Sequence, residues 1–344
     1  MVMLEYTNKY ETISIVGMAK NAGKTVTLNA LLDEAYENGK KIGLTSIGRD
    51  GEKQDIVTST DKPMIYAYEG SIIATPETLF QKSEARLEVL EITDFHTSMG
   101  KIVIGRVIIP GYIQIAGPCS NHEIMLTNLK MKAYGVDLII VDGAIDRKTT
   151  ASPSITDATI LSTGAVLSRD MQKAIEKTVY QVTLFQLKAI ENLSIRAIAD
   201  EAIREKEIAI IGVDAENEHT VTSLNLKTAL NAGQKIAVAL NEDTRYVIIP
   251  GSLVSKTILD IVKTSRHFKH TTFIVRDATR IFIDYKDWIY FEKIGVSIRV
   301  IDEIKLIAVT INPASPEGYY FEPDVYQKQL QFYLKELPVI NVMA

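Results

Sequence analysis

Ser14-Ile15-Val16-Gly17-Met18-Ala19-Lys20-Asn21-Ala22-Gly23-Lys24-Thr25 is the stretch that decides the reading of this chain. The β-branched run at 13–16 predicts a short strand ending at Gly17. Residues 25–37 predict a helix, with Val26, Leu28, Leu31, Leu32 and Ala35 near helical spacing. Gly39 is a stop for that helix, and a second strand is expected at 42–47. Strand, glycine loop, helix, strand is the βαβ pattern of a parallel sheet covered by helices. The first turn of a helix has unpaired N–H groups and a partial positive charge, so a loop that opens a helix in this way attracts phosphate. Gly23 lets the backbone come close to the anion. Lys24 has the reach and charge for β- and γ-phosphates, and the Thr25 hydroxyl suits Mg²⁺. The expected nucleotide contacts are Gly17, Lys20, Asn21, Ala22, Gly23, Lys24, Thr25 and Val26.

Outside this loop the chain has the balance of an ordinary globular protein. Its 344 residues are 46% hydrophobic and 24% charged. At about 150 residues per domain that length predicts two domains. The net charge of -5 and pI ≈ 5.7 argue against a general affinity for nucleic acid, which favours a basic face. One cysteine, Cys119, cannot form an intrachain disulfide and reads as a buried structural residue. The N-terminus lacks a basic segment followed by an apolar one, and no apolar run approaches the roughly 18–20 residues of a membrane span. A soluble cytoplasmic protein is expected.

The 14–25 stretch resembles the Walker A loop of P-loop nucleotidases, with a departure: five residues separate Gly17 from Gly23, where the usual pattern has four. Either the loop is one residue longer, or Met18 takes the first glycine's place. Hydrolysis needs an acidic residue at a neighbouring strand end to organise Mg²⁺ and water. The apolar run Leu138-Ile139-Ile140-Val141 ending in Asp142-Gly143 has the Walker B form. Asp50, in TSIGRDGE (45–52), is the second acidic candidate and resembles the metal-water or switch residue of the signal-recognition, MinD and dethiobiotin-synthetase class. Arg49, Asp146 and Arg147 are weaker loop candidates. Thr25, Asp50 and Asp142 thus form the expected Mg²⁺ set. Lys20 reads as a solvated lysine or a local phosphate contact. A contact across a homodimer interface is the alternative, because dimeric relatives of this class carry an extra loop lysine.

Further along, 64–117 predicts a β-rich insertion, with extended segments at 87–92, 102–109 and 112–115. Ser120-x-x-Glu123 fits a capping box. A strand at 158–162, a long helix at 169–191, strands at 208–213 and 236–240, a helix from Gly251 towards 263, strands near 273–275, 296–300 and 306–311, and a last helix at 324–334 complete the reading. The fold class expected is α/β: a P-loop nucleotidase with a mostly parallel sheet. Its nucleotide-binding domain is placed at 1–205 and a C-terminal α/β portion at 206–344. Asn312, opening Asn312-Pro313-Ala314-Ser315-Pro316, is a candidate base-reading residue, since an amide can recognise a purine edge. His267-x-x-His270 has no acidic or thiol partner nearby in sequence and reads as a basic helix end.

The segments SIVGMAKNAGKTVTLNALL (14–32), TSIGRDGE (45–52), LIIVDGAID (138–146) and NPASPEGYYFEPD (312–324) are together similar to the P-loop component of the lysine 5,6-aminomutase reactivating factor. That resemblance implies ATP in preference to GTP, Mg²⁺, a MutS-like ATPase subunit and a client aminomutase as partners. It also implies a role in releasing damaged cobalamin from the client. Three other readings are open, one of them a non-hydrolysing scaffold that binds nucleotide through Lys24 and shows no change in turnover on losing Asp142. A ligase or kinase of the dethiobiotin-synthetase kind would use a substrate pocket lined by 146–150. A GTPase metallochaperone would carry a guanine-reading Asn/Thr-Lys-x-Asp motif, and no convincing one stands at a strand end.

Overall fold

The computed structural model describes residues 3–47, 64–143, 151–214, 218–226, 228 and 230–343. The protein is α/β, with mixed sheets that are mostly parallel. Its strands are β1 (Thr12–Gly17), β2 (Ile42–Ser46), β3 (Ile65–Ala67), β4 (Ile72–Pro76), β5 (Arg86–Thr97), β6 (Gly100–Ile109), β7 (Gly111–Ile113), β8 (Leu138–Asp142) and β9 (Ala158–Gly164). They continue with β10 (Ala209–Val213), β11 (His219–Ser223), β12 (Thr244–Ile248), β13 (Leu253–Val254), β14 (Thr272–Val275), β15 (Ile281–Phe282), β16 (Ser297–Val300), β17 (Leu306–Asn312) and β18 (Val339–Asn341). The helices are α1 (Met3–Thr7), α2 (Lys24–Glu37), α3 (Glu77–Gln81), α4 (Asn121–Ala133), α5 (Met171–Phe185), α6 (Leu193–Glu205), α7 (Gly233–Ala239), α8 (Ser255–Thr264), α9 (Tyr285–Ile294) and α10 (Pro323–Leu334). Among the described residues no helix is long and apolar enough to cross a membrane.

The chain divides into two compact units: Met1–Val179 with Lys305–Ala344, and Tyr180–Ile304. This division differs from a boundary at 205/206. The last forty residues return to the first unit because β17 pairs in parallel with β9, from Leu306 opposite Thr159 to Asn312 opposite Gly164. Ala308 and Val342 then join the same apolar core as Ile13, Leu28 and Ile140.

The first unit is built on a nine-stranded sheet in the order β18-β17-β9-β1-β8-β2-β4-β6-β5. From β18 to β4 neighbouring strands run parallel, and β6 and β5 add an antiparallel edge. The β-rich stretch at 64–117 therefore extends the main sheet through β4, β6 and β5, while β3 and β7 form a separate antiparallel pair. β1 is buried along its whole length between β8 and β9, which explains its apolar run. α2 buries Thr27, Leu28, Leu31, Leu32 and Ala35, one stripe of a helix, against that core. Ser120 caps α4: its hydroxyl accepts the Glu123 N–H at 3.2 Å and donates to the Glu123 carboxylate at 2.9 Å. This is the helix start that the Ser-x-x-Glu spacing predicts.

The second unit carries a five-stranded sheet, β11-β10-β12-β14-β16, in which β12, β14 and β16 are parallel. Residues 236–240, expected as a strand, instead lie in and just beyond α7. Ala232, Gly233, Ile236, Ala237 and Leu240 are buried with helical spacing, and the strand falls later, at β12. The long helix expected at 169–191 ends earlier, at Phe185, and α6 follows after Asn192, whose side chain caps it.

Candidate functional site

Parallel sheets place their ligand sites beyond the carboxyl ends of the strands, where the chain switches direction. In the first unit that point is β1: β8 and β9, consecutive in the chain, lie on opposite sides of it. Gly17, Ser46, Asp142, Gly164 and Asn312 end β1, β2, β8, β9 and β17. Asp142 stands opposite both Ile15 and Ser46, and Gly17 stands opposite Ser162. Parallel pairing in register thus brings residues from five separate stretches to one rim.

The loop between β1 and α2 is fixed by its own backbone and by two neighbouring strands. The Met18 N–H donates to the Ser162 carbonyl at 2.9 Å, and the Ala22 N–H to the Ala19 carbonyl at 3.2 Å. Asn21 (φ 64°) and Gly23 (φ 96°) both adopt the left-handed conformation. Asparagine tolerates that region better than most residues, and glycine adopts it without steric cost. Gly23 is the N-cap of α2 and offers no side chain to accept from the first turn. The N–H groups of Lys24, Thr25 and Val26 therefore have no intrahelical partner, and the helix dipole adds positive potential where they point. Beneath the turn, the Thr27 hydroxyl donates to the Gly23 carbonyl at 3.1 Å. It also lies 2.8 Å from the Thr310 hydroxyl and 3.2 Å from that of Ser162. Ser162 and Thr310 are 2.9 Å apart, closing a buried triangle of hydroxyls that ties α2 to β9 and β17.

The charged pair of the site is Lys24 and Asp142. Lys24 Nζ is bonded to Asp142 Oδ1, with the two side chains only 14% and 12% exposed. The backbone of Asp142 is anchored as well: its carbonyl accepts from the Ser46 hydroxyl at 2.9 Å and from the Ile47 N–H at 3.3 Å. Gly143 donates to the Ile15 carbonyl at 3.1 Å, fixing the turn after β8 to β1. A cation and an anion held together at the start of a helix can each turn to a new partner of opposite charge, phosphate for Lys24 and a divalent cation for Asp142.

The structure brings together Gly17, Ala22, Gly23, Lys24, Thr25 and Asp142 of the sequence-predicted set. Lys20 and Asn21 are exposed on the loop, and Thr25 and Val26 are half-buried in the first turn of α2. Asp50, Arg49, Asp146 and Arg147 lie outside the described residues. Asn312 reaches the loop itself: its Nδ2 donates to the Asn21 carbonyl at 3.0 Å and its Oδ1 accepts the Ala314 N–H at 3.1 Å. Thr27, Ser162 and Thr310 carry no sequence signal, because hydroxyls on apolar strands and helices look like ordinary buried threonines and serines. His267 and His270 fall on a single 3₁₀ turn between α8 and β14. Cys119, expected to be buried, is exposed, one residue before the cap of α4. Among the described residues no group of three or more His, Cys, Asp or Glu stands together as a ready metal cage.

Compared with known proteins, the chain matches no family model and no curated protein sequence.

Proposed function

We propose that this chain is a P-loop nucleotidase that binds a nucleoside triphosphate with Mg²⁺ at the 17–25 loop. The observation that carries the proposal is the Lys24–Asp142 pair at the rim of a helix whose first-turn N–H groups have no cap. In this reading the N–H groups of Lys24 to Val26 surround the β-phosphate, and Lys24 leaves Asp142 for the β- and γ-phosphate oxygens. Thr25 and the released Asp142 hold Mg²⁺ directly or through water. Asp50 supplies the second carboxylate, on the strength of its sequence position. ATP is preferred to GTP by the family resemblance.

The biological role proposed from that resemblance is the nucleotide-driven component of a reactivating factor for an adenosylcobalamin-dependent lysine aminomutase, working with a MutS-like ATPase subunit. Nucleotide moves a client only by binding its two states unequally, and couplings of about 1–3 kcal/mol change client affinity about 5–150-fold. Calorimetry with ATP and GTP, with and without Mg²⁺, tests the first level. Asp142→Asn is expected to abolish the Mg²⁺ dependence and turnover while leaving metal-free nucleotide binding in place. Retention of Mg²⁺-dependent turnover by that variant would refute the assignment of Asp142. Restoration of an inactivated aminomutase by the chain, its MutS-like partner and ATP tests the second level. Transfer of phosphate to a small molecule would point instead to a kinase or ligase.

A further inference from the structure

Asn312 lies 291 residues from Asn21 in sequence, yet their groups meet at 3.0 Å. The pairing of β1 with β9 and of β9 with β17 brings them together. The peptide joining Asn21 to Ala22 is pinned at both ends: its carbonyl accepts from Asn312 Nδ2, and its N–H donates to the Ala19 carbonyl at 3.2 Å. The residue on one side of that peptide, Asn21, is left-handed without being glycine. Asn312 itself is wedged between two backbones. A Cβ on Gly23 would stand 2.9 Å from Asn312 Cβ, and one on Gly164 would stand 2.5 Å from the Asn312 carbonyl. Its Oδ1 is already engaged with the Ala314 N–H. Both polar ends of the amide are therefore engaged with backbone, which fixes the orientation of the side chain.

We infer that Asn312 is a positioning residue that holds the phosphate loop in its binding shape from the far strand β17. A peptide fixed at both ends cannot rotate. A peptide released at its carbonyl exchanges a donor for an acceptor each time it flips, and an acceptor repels phosphate. The consequence for affinity rests on the nucleotide-binding reading given above, whereas the hold on the loop does not.

Hydrogen–deuterium exchange of the nucleotide-free full chain, followed in peptides covering 17–25, separates the two ends of the amide. Asn312→Ala removes both bonds. Asn312→Asp keeps the shape and the acceptor for Ala314 but sets a carboxylate oxygen against the Asn21 carbonyl. Both variants are expected to speed exchange in the loop about tenfold, the scale of one lost hydrogen bond, with a melting curve like that of the wild type. Both are also expected to weaken MgATP binding by about tenfold or more in calorimetry. Loop exchange at the wild-type rate in Asn312→Asp would overturn the inference, because the residue would then serve only Ala314. A wild-type chain that binds neither ATP nor GTP, with the exchange difference intact, would remove the nucleotide reading and still support the hold of Asn312 on the loop.

Discussion

The two units use the same βα construction and put it to different ends. In the first, β1 leads through an open loop into α2. In the second, β12 leads through residues 249–254 into α8. The second connection is spent on structure: Leu253–Val254 forms β13 and pairs with β15, and the Ser255 hydroxyl accepts the Asp284 N–H at 3.0 Å. The charges near the strand ends of that unit also satisfy one another. Arg276 bonds Asp200 at 2.6 Å and Asp302 at 3.3 Å, and Asp277 accepts from Thr279. A parallel sheet therefore does not make a phosphate site merely by ending a strand before a helix. The connection into α2 has two features that the connection into α8 lacks: a left-handed glycine at the cap, and a lysine in the first turn whose partner is the carboxylate of the adjacent strand; the caps of both helices, Gly23 and Val254, leave the first-turn donors without a side-chain partner.

The largest expected effect comes from exchanging the lysines at the starts of the two helices. Lys24→Ala is expected to weaken MgATP binding on the order of a hundredfold, the worth of a charge-assisted contact to phosphate. Lys256, the second residue of α8, is bonded to Asn231 at 2.8 Å and paired with Asp260 at 3.5 Å. Lys256→Ala is expected to leave nucleotide affinity unchanged. Equal losses from the two substitutions in the same calorimetric titration would erase the distinction between the units.

A smaller effect is expected from the glycines. At Gly23 a methyl group meets two obstacles, a φ of 96° and Asn312 Cβ at 2.9 Å. Gly23→Ala should therefore cost about 1–2 kcal/mol of backbone strain and lower nucleotide affinity about tenfold or more as the loop shifts. At Gly251, in the corresponding connection of the second unit, a Cβ meets nothing within 4 Å. Gly251→Ala should stay within about 0.5 kcal/mol of the wild type. Urea unfolding checks the stability of both variants, and a destabilised Gly251→Ala would show that the second connection is as constrained as the first.

The same contrast governs what could be read from sequence. The loop at 17–25, the carboxylate at 142 and the cap at 120 were legible because each is a local pattern: an apolar run, a turn residue and a polar group at fixed spacing. The return of β17 to β9 was not legible, since a strand's apolar alternation says nothing about which distant strand it joins. The hydroxyl triangle of Thr27, Ser162 and Thr310 depends on that pairing, as does the approach of Asn312 to Asn21. Residues 236–240 are ambiguous in sequence for a different reason. A short apolar run suits a buried strand or a buried helix equally, and only the burial of Ala232, Gly233 and Ile236 on one face decides between them.

The smallest expected effect concerns alkaline stability, where each unit has a tyrosine whose hydroxyl is held above its ordinary range for a different reason. For Tyr68 the leading cause is its hydrogen bond to Asp33 at 2.7 Å, followed by burial. For Tyr180 burial leads, followed by the charges of Asp284, Asp287 and Glu292. Both folded environments favour the neutral phenol, while the unfolded chain ionises near about pH 10. The folded state then binds more protons than the unfolded state above that pH. The stability contributed by each tyrosine is thus present below about pH 10 and is lost as pH rises beyond it. Phe in place of either residue should flatten the fall in urea midpoint between pH 9 and about pH 11. The carboxylates separate the causes. Asp33→Asn should reproduce much of the flattening of Tyr68→Phe, because it removes both the hydrogen bond that leads the shift and the charge beside it. Asp284→Asn should leave most of the fall due to Tyr180, because burial survives the loss of a charge. If Asp33→Asn left the alkaline fall untouched, Tyr68 would be governed by burial like Tyr180, and the two units would no longer differ in this respect.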